Sequence, residues 1–188
     1  MRTVCVRVEK DQRQVGALRL ATSLARVPAA NVPELFHEAM ASLASGVTIV
    51  TARRSDGRPC GLAVTSVASY SASPPSLLVS IAHSSRCHDA LAACARFGVH
   101  ILRADEEPLA RVFAGRAQDK FAGPNWSWDE DIPELAGTLA YLRCHRAENF
   151  QRYDHTILVG DLHGGRIEPG EPLLYAQRRM NWLLSEPG

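Results

Sequence analysis

Lysine is almost missing from this chain: of 21 basic residues only Lys10 and Lys120 are lysines, and the rest are arginines. Net charge is missing too. The 21 basic side chains stand against 20 acidic ones, a formal charge of +1, so bulk electrostatics give no pull toward nucleic acid or an anionic membrane. No apolar run is long enough to span a bilayer. The opening MRTVCVRVEKDQRQ alternates apolar and charged residues where a secretion signal needs an apolar block, so a cytoplasmic protein away from the membrane is expected. The five cysteines (Cys5, Cys60, Cys87, Cys94 and Cys144) are odd in number and hold no C-x-x-C pair. A disulfide framework and a zinc knuckle are excluded, and reduced thiols are expected. The seven histidines show no compact ligand spacing, so no metal is expected. The dinucleotide fingerprint G-x-G-x-x-G, the phosphate loop G-x-x-x-x-G-K-[ST] and the nucleophile elbow G-x-S-x-G are all absent.

What is present suits one domain with a real core: 188 residues, 46% hydrophobic and 22% charged. Residues 1–30 read as an N-terminal extension, with a short strand at Val4-Val6-Val8, and residues 31–188 as the domain. PELFHEAMASLASG sets Leu35, Phe36, Ala39, Met40 and Leu43 on one helical face, with Pro33 at a first helical position and Gly46 as the stop. Strands follow. VTIVTAR is β-branched, Ser55-Asp56-Gly57 is a hairpin turn, and CGLAVTSVASYS reads as one long second strand. SLLVSIA and FGVHIL are buried strands on either side of a short helix opened by Ser84 and Ser85. EEPLARVFAG is another helix, and Gly115 to Pro133 reads as loop. TLAYLRCHRAE and HTILVGDLHGGRIE are two further strands, and PLLYAQRRMNWLL closes the chain as strand or helix. The whole is mainly β with short inserted helices, closer to a closed or split barrel than to a doubly wound sheet.

Several stretches carry chemistry. Thr65, Ser66, Ser69, Ser71 and Ser73 lie on or after one predicted strand, and Ser80, Ser84 and Ser85 after the next. On pattern alone they are equally a solvated strand face or the hydroxyl lining of a groove for a polar, planar ring. Ser84-Ser85-Arg86 before a helix is a plain N-cap or a phosphate site, where free backbone N–H groups and a bidentate guanidinium meet an anion. Lys120-Phe121 sits in the loop and makes sense as a second phosphate ligand only beside the first. Asp154-His155-Thr156 begins a strand after a polar turn, where a histidine side chain faces either solvent or a cavity. Gly160 with Gly164-Gly165 reads as a turn.

Taken in order, FHEAMASLASGVTIVTA, DGRPCGLAVTSVASYSASPPSLLVSIAHSSR, RFGVHIL, LARVFAGRAQDKFAGPNW, YDHTILVGDLHGG and PLLYAQRRM resemble the flavin reductase family over Phe36 to Met180. These are the small reductase components of two-component flavin monooxygenases. The resemblance implies a split β-barrel with a Greek-key core, a homodimer, FMN or FAD as flavin, and NADH or NADPH as co-substrate. It implies that Pro59, Gly61, Leu62, Ala63, Thr65 and Ser66 contact the isoalloxazine ring and ribityl chain, and that Ser80, Ile81 and Ala82 form the wall beneath them. Ser85 and Arg86 would hold phosphate, with Lys120 and Phe121 closing over the nucleotide. His155 matches the family histidine beside the nicotinamide, and Tyr175, Gln177 and Arg178 stand at the positions where tail contacts to that co-substrate would fall. Two departures stand out: Tyr153 where the family has glycine before Asp-His, and Ala176-Gln177-Arg178-Arg179-Met180 in place of the usual tail. The implied function is a reductase that passes reduced flavin to a separate monooxygenase or halogenase. The alternatives are a split-barrel flavoprotein that keeps its flavin for a substrate of its own, and a flavin-binding protein without turnover.

Overall fold

Residues 7–9 and 31–185 are described by a computed structural model. In chain order the elements are β1 (Arg7–Glu9), α1 (Val32–Ser42), β2 (Ser45–Gly46), β3 (Thr48–Arg53), β4 (Pro59–Val64), β5 (Ala68–Ala72) and β6 (Pro75–Ala82). Next come α2 (His88–Ala93), β7 (Arg96–Ile101), α3 (Glu107–Ala114), β8 (Trp126–Asp129), β9 (Ile132–Leu135), β10 (Ala140–Arg152), β11 (His155–Ile167), β12 (Leu174–Ala176) and β13 (Arg179–Ser185). The chain divides into two compact units, residues 46–173 and residues 1–45 with 174–188. The architecture is mainly β with short helices.

The larger unit is built on a seven-stranded sheet in the order β4-β3-β7-β10-β11-β6-β5. Its strands pair antiparallel, and its two ends, β4 and β5, do not pair with each other, so the barrel is split rather than closed. Val50, Leu77, Val79, Ile81, Phe97, Val99 and Leu158 fill the core, and Leu91 from α2 joins them. β6 alternates cleanly: Leu77, Val79 and Ile81 point inward while Ser80 and Ala82 stay half-buried on the outer face.

Four local readings are corrected. The long second strand is two strands, because Thr65, Ser66 and Val67 leave the sheet between β4 and β5. α2 starts at His88, not at Ser84, since Ser85 spends its hydroxyl accepting from the Cys87 N–H at 3.2 Å in a turn of its own. The stretch read as loop contains the hairpin β8–β9, which pairs Trp126 with Leu135. Gly160, Gly164 and Gly165 lie inside β11 rather than in a turn. Gly160 is there because a Cβ would strike the Phe97 ring and come within 3.0 Å of Cys144 Cβ. The actual turn between β10 and β11 is Tyr153-Asp154.

In the smaller unit the strand order is β1-β13-β12-β2. Val8 of the expected first strand pairs with Leu184, while Val4 and Val6 fall outside the described residues. The tail resolves as a hairpin, with Gln177 and Arg178 at φ values of 50° and 61° turning β12 into β13. α1 forms with Pro33 in its first turn, but it stops at Ser42 with Leu43 as its cap, short of the expected Gly46, which lies in β2, and it buries no residue. Val32, Leu35, Phe36, Met40 and Leu43 are each about half exposed or more.

Candidate functional site

The candidate site is assembled at the ends of β4, β6 and β11. β11 and β6 pair so that His155 lies opposite Ala82 and Ile157 opposite Ser80. The Ser66 hydroxyl accepts from the Ser80 N–H (3.3 Å) and donates to its carbonyl (2.9 Å), tying the segment after β4 to the wall strand. Thr65 is exposed, Pro59, Leu62 and Ala63 are half-buried, and Gly61 is buried. Gly61 is obligatory here, since a Cβ would lie 2.6 Å from the Phe113 ring.

The turn after β6 carries Ser85 and the exposed Arg86, whose Nη2 donates to the Ala117 carbonyl at 2.7 Å. That bond brings the loop bearing Lys120 to the same place. Lys120 Nζ donates to the Phe113 carbonyl at 2.5 Å. Burial pushes the Lys120 amine below its ordinary range; the Cys87 thiol partly offsets this, and the charge of nearby Arg86 adds to it. Arg86 and Lys120 thus lie near enough for one charge to bear on the other, beside the turn that carries Ser85. Phe121 is buried, edge-on between Phe113 (5.1 Å) and Trp126 (5.1 Å), and so anchors the Lys120 loop.

Asp154 Oδ1 accepts from His155 Nδ1 at 2.9 Å, which leaves Nε2 as an acceptor on a ring that is 44% exposed. The same bond holds the Asp154 carboxyl below the usual range. Tyr175, Gln177 and Arg178 belong to the smaller unit, where Tyr175 is half-buried and the other two are exposed in the β12–β13 turn.

Two groupings escaped sequence reasoning. Thr156, fully buried, meets His88 Nε2 at 2.8 Å and His83 Nε2 at 3.1 Å, while His88 Nδ1 bonds Asp89 at 2.9 Å. With both rings neutral, His88 Nδ1–H donates to the Asp89 carboxylate. Thr156 then donates to His88 and accepts from His83. His83 and His88 are only five residues apart and visible as a pair, but their shared partner is 68 residues further on. The second grouping, beside the Cys87 Sγ–H that donates to the Gly61 carbonyl at 3.3 Å, is Cys60 with Cys87, two neighbouring buried thiols. That contact, together with burial, pushes Cys60 up. The same contact pulls Cys87 down against its burial, helped by the charges of Arg54 and Lys120.

An antiparallel sheet that stays open between β4 and β5, with short helices, defines a mainly β split-barrel class of protein. Residues 40–184 match the flavin reductase like domain, and the chain belongs to that family. It is 36% identical over 165 residues to the FMN reductase (NADH) SmoA of Agrobacterium fabrum, covering 86% of this chain and 92% of that one. It is 35% identical over 144 residues to the reductase component of the 4-nitrophenol 4-monooxygenase/4-nitrocatechol 2-monooxygenase of Rhodococcus opacus, covering 77% of each. Among solved structures it is similar to the NADH:FAD oxidoreductase SgcE6 of Streptomyces globisporus, in complex with NAD and FAD fragments. That match has a TM-score of 0.77 at 29% identity, over 87% of this chain and 98% of that one.

Proposed function

We propose that this chain is an NAD(P)H-dependent flavin reductase that reduces FMN or FAD and supplies reduced flavin to a separate oxygenase. The observation that carries the reading is the meeting of Ser85, Arg86 and Lys120 at one end of a wall whose other edge presents His155 in register with Ala82.

The donor set fits a phosphorylated flavin: a hydroxyl, a guanidinium and an ammonium for the phosphate, and the face of β4 with Thr65, Ser66 and Ser80 to Ala82 for the ring and ribityl chain. A bound flavin supplies the two-electron acceptor. The chain's own residues bind and orient. Arg86 and Lys120 neutralise phosphate charge, and the Ser66–Ser80 bonds keep the wall strand and its neighbour at fixed spacing. His155 Nε2, left as an acceptor by Asp154, takes an N–H of the nicotinamide carboxamide. That contact sets the hydride donor at near-attack distance and asks no proton transfer of the histidine.

The protein acts as a homodimer. The support is α1, whose apolar residues Leu35, Phe36 and Met40 are about half exposed among the described residues, a face of the kind that a second copy covers. Light scattering should give twice the chain mass.

The deciding experiment follows the nicotinamide absorbance with NADH or NADPH and added FMN or FAD. Fast oxidation that saturates with flavin over many turnovers is expected. Protein that binds flavin yet oxidises neither nicotinamide would refute the reading.

A further inference from the structure

The outer face that carries His155 extends one strand further. Antiparallel register sets Arg152 opposite His155 and Phe150 opposite Ile157, as His155 and Ile157 lie opposite Ala82 and Ser80 on the other side. Residues directly opposite share a face, their Cβ atoms about 4.5–5.5 Å apart. Thr156 and Leu158, the alternates, are fully buried on the opposite side. Arg152 therefore stands on the same surface as His155 and the Ser80–Ala82 wall.

Among the described residues Arg152 meets no carboxylate. Its Nη2 donates to the Tyr153 hydroxyl at 3.0 Å, and its Cζ lies 4.7 Å from the centre of that ring. Tyr153 is 85% exposed and packs into no core. It also holds a φ of 51° at the first residue of a two-residue turn, a place that glycine fills without cost. An exposed aromatic side chain in a backbone conformation that disfavours it, braced by an unpaired guanidinium, does nothing for the fold that glycine would not do better.

We propose that Arg152 and Tyr153 clamp the part of the dinucleotide co-substrate that lies beyond the nicotinamide. Arg152 donates to the pyrophosphate oxygens, and the open face of Tyr153 stacks on the adenine base. The assignment rests on the reductase reading, which puts the nicotinamide at His155. A guanidinium matches phosphate oxygens bidentately, and the Tyr153 ring, already backed by that cation on one side, presents its other side to a flat base.

The test compares two hydride donors and adds a binding measurement that needs no turnover. Arg152→Gln should raise the KM for NADH about tenfold, and Tyr153→Gly about threefold, with kcat unchanged. The KM for dihydronicotinamide riboside, which lacks pyrophosphate and adenine, should stay as in the wild type for both variants. Calorimetric titration of NAD+ into the purified protein should show Kd rising by the same factors, while Arg152→Lys keeps most of the affinity. Unchanged NADH constants, equal shifts with both donors, or no NAD+ binding by the wild type would overturn the clamp. A wild type that binds NAD+ but oxidises neither donor with any flavin would refute the reductase reading instead.

Discussion

His100 should make this protein acid-sensitive by a calculable amount. Its ring is fully buried, stacked on Tyr141 at 4.9 Å. Nε2 accepts from the Leu135 N–H at 3.1 Å, so Nδ1 carries the proton and donates to the Ile49 carbonyl at 3.2 Å. Burial lowers its pKa from 6.5 to about 3; the Ile49 carbonyl opposes that shift and the charge of Arg166 adds to it. Below pH 6.5 the unfolded chain takes a proton that the folded chain refuses, so stability falls with pH through the interval from 6.5 down to about 3. Integrating the proton difference between about pH 7.5 and about pH 5 gives a loss of about 2 kcal/mol from this one ring. In urea unfolding, wild-type ΔG should therefore fall about 2 kcal/mol further over that range than that of His100→Gln, since the other titrating groups are common to both and cancel. The variant loses a hydrogen bond and starts lower, but only the difference in slope matters. Nitrogen NMR of the wild type gives a second reading, in which the His100 ring stays neutral at about pH 5. Equal slopes, or a charged ring at that pH, would show that the ring is not sequestered and refute the reasoning.

Three further outcomes are expected. His155→Ala should raise the nicotinamide KM or lower turnover while flavin affinity, measured by fluorescence quenching, stays nearly intact; an equal loss of flavin binding would remove His155 from the co-substrate site. Arg86→Ala should weaken FMN far more than riboflavin, which has no phosphate for the guanidinium to meet, and equilibrium dialysis of the two ligands separates the cases. Gly160→Ala should cost about 1–3 kcal/mol or more in a denaturant titration, because the new methyl overlaps the Phe97 ring in a core without room to yield.

The sheet was largely legible because its strands are β-branched or alternate, as in Thr48–Arg53 and Pro75–Ala82, and because the Asp56-Gly57 turn is explicit. The hairpin after Gly123 was not, since its two strands are only four residues each and the alternation of Trp126-Ser127-Trp128 is too short to stand out from the loop around it. Helix α2 was started too early because Ser84 and Ser85 look like caps, whereas the hydrogen bonds show Ser85 closing a tight turn onto Cys87. The glycines of β11 deceived for a different reason. At Gly160 and Gly165 the lack of a side chain answers to the Phe97 ring and the Tyr141 backbone on other strands, and such long-range crowding leaves no local trace. At the candidate site, the residues proposed for phosphate and co-substrate (Ser85, Arg86, His155) sit on local motifs that the sequence displays. Partners supplied by register, such as Arg152 opposite His155 and Thr156 under His83 and His88, could not.

The scarcity of lysine acquires a practical meaning once Lys120 is placed. An amine-directed acylating reagent finds only two side-chain targets in the whole chain, Lys10 and Lys120. Lys120 is the one described here, and its lowered pKa leaves more of it as the free, nucleophilic amine at a given pH. A mild acylating agent thus becomes a footprint of the proposed phosphate corner. Peptide mass spectra should show Lys120 labelled in the empty protein and shielded when FMN is present, with Lys10 as the internal control.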